Sequence, residues 1–182
     1  TAYILWALAD AGYAQSYQAQ QAVAYINAQL AVNQPASPLT ANGNPEPVLD
    51  PYALALIANA LIAVNPQDQL AASLLDQLVE RANEDSNGYY SWNSGATTYM
   101  GGYGDSSNTE TSAMMILAAL RSGRHLDAAQ KATDALIAQR NGKGTYYSTQ
   151  TTVLVLKALL AVAKEGGDGK HASVTVTLNN GQ

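Results

Sequence analysis

Glu110-Thr-Ser-Ala-Met-Met-Ile-Leu-Ala-Ala-Leu120, then the amphipathic run Leu126–Arg140, then Gly142-Lys-Gly-Thr-Tyr-Tyr-Ser148-Thr-Gln-Thr-Thr152, then the apolar run Val153–Val162: this stretch decides the fold. A helix apolar on nearly every side is followed by a one-sided helix, a glycine-aromatic turn and a second apolar helix. The rest of the chain repeats that unit.

Upstream, Thr1–Gly12 carries Tyr3-Ile-Leu-Trp-Ala-Leu-Ala and reads as a helix buried on most faces, with Gly12 as its C′ residue. It opens without an N-cap, so the chain is expected to be cut from something longer. Ser16–Leu30 is one-sided: Ala19, Ala22, Val23, Ile26 and Leu30 share a face. Asn33–Val48 holds Pro35, Pro38, Pro45, Pro47 and Asn42-Gly43, and reads as a loop. Asp50-Pro51 is a helix start, an N-cap followed by Pro at N1. Tyr52–Val64 is apolar almost all round until Asn65-Pro66 stops it. Asp68–Asn83 is one-sided, with Leu70, Leu74, Leu75, Leu78 and Val79 inward. Glu84–Asn108 is irregular.

Asn108 or Thr109 is expected to cap the helix through Leu120, and Ser122-Gly123 to end it. Ser148 or Thr149 caps the last helix, which runs to about Lys164. Ala172–Leu178 alternates strictly, with Val174, Val176 and Leu178 on one side. That is a strand with one buried face and no partner strand in this chain.

Helices apolar all round alternating with one-sided helices imply two layers, buried helices within and amphipathic ones outside. The expected fold is all-α: a partial α/α toroid, about half of a six-hairpin ring, followed by a short C-terminal β-strand. The repeat is uneven, longer from Tyr52 to Thr111 than from Thr111 to Thr151, which disfavours a regular solenoid. Residues 1–166 form the helical domain; residues 167–182 form a linker and the first strand of a following β domain. Half a ring leaves inner helices with uncovered flanks. The expected partners are a missing N-terminal half, neighbouring β domains, or another copy.

Composition excludes several functions. Hydrophobic residues make up 47% and charged residues 13%, so much of the surface is expected to be hidden. A net charge of -5 argues against nucleic acid. With no Cys there is no disulfide, thiol nucleophile or cysteine zinc site, and two His are too few for a metal cluster. The longest apolar runs fall short of the ~20 residues of a membrane span. Phe is absent beside 11 Tyr, and the sequence offers no reason beyond the amphipathic use of tyrosine.

Asp85, Asp105 and Glu110 are the candidates for a paired-carboxylate site of a toroid glycosidase, which needs two carboxyls at fixed separation. Set against that, Asp85 and Asp105 are solvated loop acids and Glu110 is a first-turn acid favoured by the helix dipole. Trp92 with Tyr89, Tyr90, Tyr99 and Tyr103 lines a sugar or isoprenoid cleft, or packs loops over helix ends. Gly101, Gly102 and Gly104 make no phosphate loop, since no Lys-Ser/Thr follows. Ser148 lacks a nucleophile elbow and reads as a cap. His125, in a turn, and His171, before the strand, read as exposed. No catalytic, cofactor-binding or metal residue is assigned.

The opening stretch resembles the thioester domain of the alpha-2-macroglobulin and complement family. The residues that carry the resemblance are Glu110-Thr-Ser-Ala…Leu117-Ala-Ala-Leu120 and Ser148-Thr-Gln-Thr-Thr-Val-Leu-Val-Leu-Lys-Ala-Leu-Leu160. Thr1-Ala-Tyr-Ile-Leu-Trp-Ala-Leu and Asp50-Pro-Tyr-Ala-Leu-Ala-Leu are similar to its earlier inner helices, so the likeness covers Thr1 to about Lys164. It implies a fragment of an extracytoplasmic protease-trapping inhibitor, not an enzyme, that acts on proteases through the intact protein. The Ala- and Gln-rich composition suggests a bacterial member. The Cys-Gly-Glu-Gln thioester motif is expected upstream of Thr1, and no His here matches the family's reaction-directing one. The fragment's expected role is a scaffold that shields or repositions that thioester. The other reading is a toroid enzyme of the glycosidase or terpenoid-cyclase type.

Overall fold

The computed structural model describes residues 1–33, 49–140 and 145–167. It contains α1 (Ala2–Asp10), α2 (Tyr17–Asn33), α3 (Pro51–Val64), α4 (Gln69–Val79), β1 (Asn83–Glu84), β2 (Tyr90–Ser91), α5 (Asp105–Ser122), α6 (Leu126–Gln139) and α7 (Thr149–Gly167). The fold is all-α apart from the antiparallel β1–β2 ladder, which pairs Asn83 with Ser91 and Glu84 with Tyr90.

Local chemistry sets the boundaries. Asp50 accepts a bond from Tyr52 N at 2.8 Å, with Pro51 at the first helical position. Asp68 accepts from Ala71 N at 2.8 Å and Ser148 from Thr151 N at 3.1 Å. At the end of α1, Gly12 takes φ 85° while Gly12 N reaches Ala9 O and Tyr13 N reaches Leu8 O, the two bonds of a Schellman motif.

The odd-numbered helices pack in chain order: α1 on α3, α3 on α5, α5 on α7. Each of the first three also carries its successor, α2 on α1, α4 on α3 and α6 on α5. Helices with a neighbour on either flank and one behind are buried on nearly all sides. Leu54, Ala55, Ala58 and Leu61 of α3 are buried, and so is every residue of α5 from Thr109 to Ala119. The even-numbered helices bury one side, such as Leu74, Leu75 and Leu78 of α4.

Several expectations are corrected. α4 stops at Val79, short of Asn83, which pairs in β1. The segment 84–108 contains the β1–β2 turn. Its placement follows from Lys131 of α6, whose ammonium bonds Glu84 at 2.7 Å and lies 4.4 Å from the Tyr90 ring centroid. α5 begins at Asp105 rather than after Asn108, because Gly104 at φ 58° turns the chain into the helix earlier. α1 buries only Leu5 and Trp6, while Ile4 is 58% exposed. On α7, Val153, Leu156 and Leu160 are exposed. Both helices stand at the ends of the row and have a neighbour on one flank only.

The loop at 34–48, the turn at 141–144, His171, the expected strand at 172–178 and the expected second domain lie outside the described residues. Among the described residues no helix is long and apolar enough to cross a membrane.

Candidate functional site

The N-terminal halves of the four row helices converge on a cleft of about 280 Å³. α1 supplies Tyr3 and Trp6, α3 supplies Tyr52, α5 supplies Glu110, and α7 supplies Gln150, Val153 and Lys157. Met100 of the preceding loop closes one side. A side-chain ion pair bridges the opening between the two end helices. Asp10 of α1 bonds Lys157 of α7 and also Arg121 of α5, the latter at 2.7 Å. The Lys157 ammonium lies 4.5 Å from the Trp6 ring centroid. Tyr3 meets Trp6 edge-on and stacks on Tyr99 with centroids 4.6 Å apart.

Glu110 forms part of the cleft lining and is 5% exposed. Its Oε1 accepts from Thr151 Oγ1 at 3.0 Å. Thr151 has one hydroxyl proton, so the neighbours of its oxygen, Ser106 at 2.7 Å and Ser148 at 2.8 Å, must donate to it. Thr98 bonds Glu110 as well. Thr98 Oγ1 accepts from Gly102 N at 2.9 Å, leaving its proton for the carboxylate. Gly102 is required by this crowding, since a Cβ there would stand 2.7 Å from Ser106 Oγ and 3.0 Å from Thr98 Oγ1. Burial pushes the Glu110 carboxyl above its ordinary value, and the two threonine hydroxyls pull it part of the way back. The Tyr52 hydroxyl, which accepts from Tyr99 N at 3.1 Å, is pushed up by burial. The Tyr99 bond opposes that shift, and the charge of Glu110 adds to it.

The sequence candidates fall in different places. Asp85 is exposed and spent on its own turn, accepting from Asn87 N at 2.8 Å and Tyr89 N at 2.9 Å, which hold its carboxyl below the usual range. Asp105 is exposed beside a separate groove with Tyr103, Tyr147 and Ser148. Glu110 is therefore the one acid among the described cleft residues, and these three carboxyls do not share that cleft. The reading of Glu110 as a first-turn acid is corrected: it lies in the second turn of α5 and is buried.

Trp92 is fully buried and donates to Leu78 O at 2.7 Å, so it packs the loop on α4. Tyr89 and Tyr90 are half-buried, Tyr103 is exposed, and Tyr99 touches the cleft lining through its stack on Tyr3 and its backbone bond to Tyr52. Gly101 and Gly104 take positive φ in the turn before α5. Ser148 caps α7 and joins the hydroxyl network. His125, at φ 52°, is half-buried, and its Nε2 meets Asp76 Oδ1 at 2.6 Å.

Sequence reasoning missed Tyr3, Trp6, Tyr52, Thr151 and Lys157 as one cluster. Each sits near the start or middle of an apolar helix, where an aromatic or Thr reads as core. The available signal was their shared position: all but Lys157, in the third turn of α7, lie within the first two turns of the row helices.

The sequence profile of the A-macroglobulin TED domain matches residues 1–161. Comparison with individually curated proteins returns no match. The matched span runs from the first residue of the chain into α7 and takes in every residue placed around the cleft, and on that ground the chain belongs to the A-macroglobulin thioester-domain family.

Proposed function

We propose that this chain is the helical scaffold of a protease-trapping protein of the alpha-2-macroglobulin type, shielding and repositioning a Cys-Gln thioester carried elsewhere in the parent. The observation that carries this reading is the family match over residues 1–161. The chain has no Cys and so cannot supply the thiol of such a thioester. Its contribution is mechanical. The row of helices forms part of an α/α toroid, and the apolar flanks of α1 and α7 bear on helices from the rest of that ring. Residues 1–166 make up the toroid portion, and residues 167–182 lead into a following β domain. The parent works outside the cytoplasm, as a bacterial member of the family, and meets proteases as a whole molecule.

The enzyme reading, a glycosidase or terpenoid cyclase, has less support. Glu110 is the single acid among the described cleft residues, whereas two-carboxylate hydrolysis needs a pair.

The test is made on the intact parent. It is mixed with a protease, and the protease is assayed on a small chromogenic substrate and on a protein substrate. Retained small-substrate activity with lost protein cleavage supports trapping. Free protease, undiminished on both substrates, contradicts it.

A further inference from the structure

Glu110 is a buried carboxyl that faces a cleft, and no Lys, Arg or His among the described residues pairs with it. Its described hydrogen bonds come from the hydroxyls of Thr151 and Thr98. A buried carboxylate is ordinarily compensated by a cation as well as by hydrogen bonds. The walls near it are the rings of Tyr3, Trp6 and Tyr52, whose faces attract cations. One wall already does so: the Lys157 ammonium rests over Trp6. That ammonium is matched by Asp10, so the charge of Glu110 stays uncompensated inside the chain. Beside Thr149 and Gln150, the remaining lining is apolar, with Met100, Val153 and Leu154. Apolar walls suit a methylene stem whose charged head lies beyond them.

We propose that the cleft is a binding site for a lysine side chain presented by another protein segment, with its ammonium at Glu110 and its stem along Met100, Val153 and Leu154. Lys157 is the internal precedent and also a competitor, since it occupies the Trp6 face. The site does not depend on protease trapping; it requires only the cleft and its charge.

The test uses the chain itself, ¹⁵N-labelled, and follows its two tryptophan indole resonances. Trp6 reports on the cleft, and Trp92, fully buried against Leu78, is the internal control. The probes are Nα-acetyl-lysine methylamide, n-butylammonium and the neutral n-butanol. The expected result is a saturable shift of the Trp6 resonance with acetyl-lysine methylamide and a static Trp92. Glu110→Gln keeps an acceptor for Thr151 and should weaken binding by at least about tenfold. Lys157→Met should tighten it, and Glu80→Gln, on the exposed end of α4, should change nothing. An unmoved Trp92 resonance in each variant shows that the fold is intact. The proposal is overturned if n-butanol gives the same midpoint as the amines. Binding of n-butylammonium but not the lysine probe also overturns it, as does Glu110→Gln binding like the unsubstituted chain.

Discussion

Glu110 is the residue at which charge, burial and packing meet. Its folded carboxyl lies above the ordinary value, so the folded chain holds that proton more tightly than the unfolded one. The contribution to stability is therefore most favourable in acid. It declines as pH rises from the unfolded value of about 4.5 through the higher folded value. Glu110→Gln removes the titration while keeping an acceptor for Thr151. It should raise the melting temperature near neutral pH and have little effect in acid, as thermal melts across pH would show. Glu110→Ala instead opens a cavity and strands the hydroxyls of Thr98 and Thr151, costing about 2–4 kcal/mol by chemical denaturation. Gly102→Ala should disturb the same network, since its Cβ has no room beside Ser106 and Thr98. Asp50 shows how much of a residue's work a sequence displays. Its cap on Tyr52 N was legible from Asp-Pro alone. Its bonds to Ser94 Oγ at 2.6 Å and Gly95 N at 2.9 Å were not, because they join residues over forty positions apart in sequence.

At the scale of elements, α3 and α5 follow the reading of their apolar character, because neighbours in the row cover both flanks. α1 and α7 have the same composition but one neighbour each in the row, so the same pattern leaves Ile4, Val153, Leu156 and Leu160 exposed. Periodicity reports which residues favour burial; it does not report whether a neighbour is present. The early end of α4 and the early start of α5 were hidden for a related reason. The β1–β2 turn is held by Lys131 from α6, far along the chain. Trp92, which read as a cleft wall or as loop packing, pins that loop to α4. Trp92→Phe should remove the indole bond to Leu78 O, which keeps only Arg81 N at 3.1 Å, and open a void beside it, costing about 2 kcal/mol in a urea melt.

The turn before α6 is held differently. Asp76 of α4 takes bonds from His125 at 2.6 Å and Arg124 at 3.0 Å, and the His125 bond leads in holding its carboxyl below the usual value. The sign is opposite to that of Glu110: this contribution is present above the unfolded value and is lost as pH falls through the lower folded one. The pair is partly solvated, so Asp76→Asn should cost no more than about 1 kcal/mol. Differential melts at neutral and acid pH should show that cost vanishing in acid.

For the whole molecule, the two-layer order of helices was legible because odd and even helices differ so sharply in apolar character. The cleft was not legible, since it arises only where the first turns of four helices separated along the chain are brought together. The exposed apolar residues on α1 and α7 have a solution consequence. The chain alone should bind an apolar fluorescent dye or self-associate as concentration rises, readable by light scattering across a dilution series. Replacing Val153, Leu156 and Leu160 by Gln should suppress both behaviours without unfolding α7, because the buried Val155 and Ala158 stay in place.

The central claim is that this chain is one part of a thioester-domain ring whose open flanks are closed by the rest of the parent protein. An experimental structure of the intact parent tests it most directly. The account predicts that Ile4 of α1 and Val153, Leu156 and Leu160 of α7 are covered by helices of the same domain. A thioester-bearing segment should lie in that covering part. The account is contradicted if those four side chains remain open to solvent in the intact protein.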